Sequence, residues 1–204
     1  MKLTWYGHSC FLVETAEGSV VFDPYSPGSV PGLALPPLTA DAVICSHEHR
    51  DHGYAQGVSL SGRTFTAKLT RIPSFHDEVG GAKRGANLIT VLEAEGLRVA
   101  HLGDLGHPLS AEQLAALGRV DILLIPVGGF YTIDADTAWQ QVEAIRPAIT
   151  VPMHYRGAGF GYDVIGPVED FLAHAEKVTV LDSSVLAPEA LEIPAVVVLK
   201  CPVK

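Results

Sequence analysis

Basic residues are scarce in this chain: 14 Lys and Arg stand against 23 Asp and Glu over 204 residues, a formal net charge of −9. A protein that grips nucleic acid by neutralising phosphates carries the opposite balance, so no nucleic acid is expected as a partner. Cysteine is scarce as well. Cys10, Cys45 and Cys201 are widely spaced and odd in number, which argues against a disulfide framework and makes the cytoplasm the expected compartment. No run approaches the ~20 apolar residues of a membrane span. The opening MKLTWYGHSC lacks the basic region and apolar stretch of a secretion signal, so no membrane is expected either. No linker, composition break or short repeat divides the chain. What is present is 48% hydrophobic and 18% charged, a globular balance with a generous core. The length suits one domain over residues 1–204.

Strand-like stretches come first. LTWYG, CFLVET and SVVFD are short and rich in β-branched or aromatic residues, with a hairpin turn at AEGS. PYSPGSVPGLALPPL then reads as a long ordered loop. DAVICS is a continuous apolar run of the kind buried strands show, and RTFTA (weakly), LTRIPS, NLITVLEA and LRVAHLG extend the strand set. The second half alternates. SAEQLAALG predicts a helix capped by Ser110 and stopped by Gly118, DADTAWQQVEAIRP a second helix and PVEDFLAHAEK a third, interleaved with the strands DILLIPVGG, AITVPMHY, VTVLD and AVVVLK.

The chemistry concentrates at SHEHRDHG. In an extended segment, side chains two apart share a side, so His47 and His49 can reach one metal together. Asp51 follows on the same side if the chain stays extended, and a turn eased by Gly53 must bring His52 round. Imidazole and carboxylate suit Zn²⁺, Mn²⁺ or Fe. Four ligands do not complete two sites, so others must come from further strand ends. His76, Asp104 and His154 each lie just past a strand candidate.

With these residues in view, HEHRDH resembles the H-x-H-x-D-H signature of the metallo-β-lactamase-fold superfamily. Asp23 in VVFDPY, His76, Asp104 in GDLG and His154 follow in that family's order. WYGHSCFLVE, IPVGGFYTID and VPMHY are similar to the branch that contains ascorbate-6-phosphate lactonase and related hydrolases. The resemblance covers most of the chain and implies an α/β fold, a four-layer αββα sandwich. It implies one metal on His47, His49 and His76, a second on Asp51, His52 and His154, and Asp104 shared between them. Asp23 would hold a ligand by a hydrogen bond, and His8 would lie near the metals. His101 competes with His76 for the first site. Its position inside a strand, three residues before Asp104, favours His76. His107 reads either as a pocket rim or an exposed loop residue, and His174 as a structural or solvated one.

Two divalent ions, Zn or Mn with Fe as a further choice, imply a metal-dependent hydrolase. A hydroxide between the ions would attack a small lactone, ester or phosphoester, with Asp51 and Asp104 as the catalytic carboxylates. Phe130, Tyr131, Tyr155 and Arg156 follow buried strands and are the candidates for substrate contact, with Arg156 the partner for an anionic group. Two alternatives stay open: a mononuclear iron oxygenase on the same fold, and a non-catalytic member that binds metal or ligand. The oligomeric state is not legible.

Overall fold

Alternation at the start of the chain builds the first sheet. In the computed structural model, which describes residues 1–190 and 193–202, β1 (Lys2–Trp5), β2 (Phe11–Thr15) and β3 (Gly18–Phe22) form an antiparallel meander. Leu3, Trp5, Phe11, Val13, Val20 and Phe22 enter one core, whereas Leu12 and Val21 face the other way, as a period of two requires. After the loop at 24–37 come β4 (Leu38–Ala40) and β5 (Ala42–Ile44). β5 runs parallel to β3, while β4 pairs with β6 (Val58–Leu60) in a separate two-stranded ladder.

β7 (Lys68–Phe75), β8 (Ala86–Ala94) and β9 (Leu97–His101) are antiparallel neighbours at one end of the second sheet. Pro73 lies in β7, the edge strand, where a missing N–H is tolerated. α1 (Ala111–Leu117), β10 (Ile122–Pro126), α2 (Ala135–Ile145), β11 (Ile149–Met153), α3 (Val168–Leu172) and β12 (Val178–Val180) then alternate. β13 (Val185–Leu186) crosses to the first sheet beside β1, and β14 (Ala195–Val198) returns to the second. The seven-stranded order is β12-β14-β11-β10-β9-β8-β7. Every residue of β10 and β11 is buried, because the first sheet covers one face of these parallel strands and the helices cover the other.

The result is the α/β sandwich that the resemblance implies. Its fourth layer, over the first sheet, consists of the 24–37 loop, the β4–β6 ladder and a 3₁₀ turn at Ala55–Gly57. Tyr25, Val30, Leu33, Leu38 and Val58 pack there on Val21.

Some expectations are corrected. RTFTA is not a strand, since Thr66 N–H and Oγ1 donate to the Glu17 carbonyl instead of to a ladder. The third helix stops at Leu172, where the following N–H groups of His174 and Ala175 bond three residues back in a tighter turn. α1 has the expected ends, with Ser110 and Gln113 forming a reciprocal cap and Gly118 at the C-terminus.

The fold gathers one rim. Asp23, the Ser46–His52 segment, His76, Asp104 and His154 follow the C-terminal ends of β3, β5, β7, β9 and β11. Such strand ends are where α/β sheets expose chemistry.

Candidate metal centre

The chain leaves β5 extended and turns at His49, whose carbonyl accepts the N–H groups of His52 (2.9 Å) and Gly53 (2.7 Å). That turn carries Asp51 and His52 back toward His47. Two donor groups form that share no residue, each with its ligand atoms within 4.8 Å of one another: His47, His49 and His76, and His8, Asp51, His52 and His154; a further such set, His47, His52 and Asp104, overlaps both. Asp104 Oδ2 lies between them, 3.1 Å from Nε2 of both His76 and His52, 3.3 Å from that of His154 and 3.9 Å from that of His47. The first sheet supplies His8 from its β1–β2 turn and the residues after β3 and β5. The second sheet supplies His76, Asp104 and His154.

Nε2 of His47 and His52, both ring nitrogens of His8 and His154, and Oδ1 of Asp104 are buried without a hydrogen-bond partner. Each such group costs roughly 1–3 kcal/mol if nothing meets it. Lone pairs from imidazole and carboxylate converging in this way fit divalent cations. His8, Asp23 and His154 also adopt φ of 52°, 44° and 54°, in the left-handed region. That is a cost of roughly 1–3 kcal/mol each, which surrounding structure must hold in place. The Trp5 indole donates to the His8 carbonyl at 3.0 Å.

Burial pushes His8 down to about 3, with His154 adding to the fall and Asp51 opposing it. Burial also takes His47 down to about 4. Both are therefore neutral, as ligation demands. Burial pulls His52 down too, but the carboxylates of Asp104 and Asp23 outweigh it and raise His52 well above its usual value. A cation must displace that proton. Burial favours the neutral form of Asp51 and Asp104, yet the neighbouring histidines hold both carboxyls low: His8 and His52 for Asp51, His154 and His52 for Asp104.

The supporting hydrogen bonds select tautomers. His52 Nδ1–H donates to Asp23 Oδ2 at 2.8 Å. His47 Nδ1–H donates to Ser46 Oγ at 2.9 Å, and that hydroxyl donates to Asp23 Oδ2 at 2.6 Å. His76 Nδ1–H donates to the Tyr131 carbonyl at 3.1 Å. All three present Nε2 inward. Asn87, buried in β8, accepts from Asp104 N–H at 3.0 Å and donates to the Leu102 carbonyl at 2.9 Å, which fixes the turn that aims Asp104.

A family model described as a beta-lactamase superfamily domain matches residues 2–154. The chain belongs to that superfamily. A UPF0173 metal-dependent hydrolase of Thermoplasma acidophilum is 29% identical over 187 residues, covering 76% of this chain and 83% of the relative. Another, of Carboxydothermus hydrogenoformans, is 30% identical over 194 residues, with 76% and 84% covered. A crystal structure from Thermotoga maritima, described as a candidate Zn-dependent hydrolase of the metallo-beta-lactamase superfamily, is 31% identical. It superposes with a TM-score of 0.76 over 98% of this chain and 99% of that one. The chain thus stands among the metal-dependent hydrolases of the superfamily.

Other residues fall differently from their sequence reading. His101 does not face the superfamily site: its Nε2–H donates to the Ser9 carbonyl (2.9 Å) and its Nδ1 accepts from Gly103 N–H (3.1 Å). His107 ties Phe75 N–H to the Pro108 carbonyl, and His174 pairs with Asp136 on α2. Tyr155 and Arg156 stand apart from the donor groups. The left-handed turn at His154 sends Tyr155 into the core against Trp5 and Phe160, and sends Arg156 outward, where its Nε donates to the Ile165 carbonyl at 2.7 Å. Phe130 is 62% exposed, and its ring meets that of Tyr131 edge to face, with centroids 4.8 Å apart. A cavity of about 290 Å³ opens on His49, Asp51, His76 and Asp104, and Arg84, Tyr131 and Tyr162 complete its lining. Arg84 and Tyr162 were not singled out by sequence. The signal for Arg84 was the glycine-rich HDEVGGAKRG, an acidic side chain followed by a loop whose backbone it can bind.

Asp23→Asn tests the support. An amide accepts on one side only, so either His52 or Ser46 would face a second donor. Metal affinity, read by chelator competition, is expected to fall about 10- to 100-fold.

Proposed function

We propose that this chain hydrolyses an ester-like bond in a small molecule, a lactone, ester or phosphoester, with two divalent cations of Zn, Mn or Fe. The observation that carries the reading is Asp104 Oδ2, which lies between two donor groups where His8, His47, His52 and His154 carry unpartnered ring nitrogens, beside a cavity that His49, Asp51, His76 and Asp104 line. His47, His49 and His76 would hold one cation, Asp51, His52 and His154 the other, and Asp104 both, with His8 beside the second group. Cations bound there supply a water that loses its proton near neutral pH and polarise the substrate oxygen. Asp51 faces the cavity and orients the attacking water. Tyr162 lies 3.2 Å from Asp51 Oδ2, and burial together with that charge keeps its hydroxyl protonated as a hydrogen-bond donor. The cavity is small, which favours a compact substrate over nucleic acid. A cytoplasmic location fits the three free cysteines.

Protein purified without a chelating tag is expected to carry about two such metal atoms per chain, and to hydrolyse members of a lactone and phosphoester panel only when loaded. No uptake after reconstitution with Zn²⁺ and Mn²⁺ would end this reading. A single iron with oxygen consumption would replace it by redox chemistry.

A further inference from the structure

We infer that Arg84 is the anion-recognising residue of the cavity, and that the substrate carries a carboxylate or phosphate group apart from the bond that is cut. The inference rests on the hydrolase reading for the word substrate, and on the geometry of the 76–85 segment for the rest.

Asp77 follows His76 directly and is buried. Its carboxylate accepts four backbone N–H groups: Val79 (3.0 Å) and Gly81 (2.8 Å) on Oδ1, Lys83 (2.9 Å) and Arg84 (2.7 Å) on Oδ2. These four donors satisfy the buried carboxylate and tie the loop to it. Gly80 and Gly81, with φ of 68° and 86°, let the loop wrap round the carboxylate. His76 N–H donates to the Gly85 carbonyl at 3.0 Å, closing the loop on itself. One residue step therefore links the side chain that faces Asp104 to the anchor of the Arg84 backbone.

The guanidinium is fixed as well. Nη2 donates to the Phe130 carbonyl at 2.9 Å, and Cζ lies 5.6 Å from the centroid of the Tyr131 ring. The Tyr131 carbonyl in turn holds His76. No ion pair among the described residues gives Arg84 a carboxylate. Arg63, Arg98 and Arg119 each have one, and among the arginines without one Arg84 is distinguished by lining this cavity. Arg84 is thus a half-buried, oriented cation with N–H groups to spare, on the wall of a cavity whose acidic side chains, Asp51 and Asp104, belong to the donor cluster. A planar fork held in that way matches a carboxylate or phosphate.

The test compares dianions with monoanions on metal-loaded protein by calorimetry. Succinate and butyrate both offer one carboxylate to the metals, neither has a bond to hydrolyse, and only succinate has a second carboxylate. Wild type is expected to bind succinate about 10-fold tighter or more, the scale of one charge-assisted fork. In Arg84→Gln the ratio should fall to about one while butyrate binding is unaffected; Arg84→Lys, which keeps the charge without the fork, should retain a preference of a few-fold. 3-Phosphonopropionate set against succinate tells phosphate from carboxylate, the preferred group being the one with the larger Arg84-dependent gain. A wild-type ratio near one, or a ratio unchanged in Arg84→Gln, overturns the inference. No turnover is needed, so failure of the hydrolase reading shows separately, as absent metal or absent hydrolysis.

Discussion

Asp104→Ala is expected to abolish metal-dependent turnover and to lower occupancy at both donor groups. The reason is sharing: one oxygen lies within 3.9 Å of a nitrogen from each of four histidines, two from each group. Removing a group that merely supports a ligand costs about 10- to 100-fold in affinity or activity. Removing a ligand common to two ions should exceed the upper end of that range. Elemental analysis per chain and a rate on any substrate from the panel check it together. Loss of one ion with the other retained would mean that Asp104 serves one group only, and full activity would contradict the shared role altogether. His174→Ala is the control. Its partner Asp136 is exposed, such surface pairs contribute little, and neither readout should move.

Gly106→Ala is expected to damage the centre without replacing a ligand. A Cβ at Gly106 would stand 2.3 Å from Asp77 N and 2.4 Å from the His76 carbonyl carbon, both backbone atoms that cannot rotate away. Either the turn carrying Asp104 or the end of β7 carrying His76 must give by most of an ångström. Overpacking of this kind costs roughly 1–3 kcal/mol, so the chain should fold with a lowered Tm. A misplacement of about 1 Å in reacting geometry costs on the order of 100-fold in rate. Metal should be lost first from the His47, His49 and His76 group, because His76 belongs to it alone. Wild-type rate with wild-type metal content would show that the turn absorbs the methyl group.

How far the sequence revealed this site depends on what each residue does. The donors were legible because ligand chemistry restricts residue type: only a few side chains bind these metals, and HEHRDH packs four into six positions. Strand ends were legible from apolar runs, which put His76, Asp104 and His154 just beyond them. Of the site's wall, Tyr131 was legible and Arg84 and Tyr162 were not. Arg84 reaches the cavity through an Asp77-bound loop, a contact between backbone and side chain that leaves little mark on periodicity. Arg156 had the better sequence position, next to His154, but it is exposed and bonds the Ile165 carbonyl instead. Ser46 and Asn87 act through single hydrogen bonds within the fold, and Gly106 through close approach of two segments. None of these shows along one dimension. The short strands β4, β6 and β13 were missed for a related reason: with three, three and two residues, they are too brief to display a period.

The donor cluster draws side chains from both sheets. Ions held there would tie the two halves of the sandwich together, and ligand that binds only folded protein adds RT ln(1 + [L]/Kd), about 4 kcal/mol at a thousandfold excess over Kd. Against a net stability of about 5–15 kcal/mol for a typical domain, that is a large share. Starving a cell of metal would then thin out the protein as well as silence it, because chains lacking ions would open more often and reach the proteases sooner. With ions bound there, abundance in the cell would become a gauge of metal supply, set by the same seam that draws donors from both sheets.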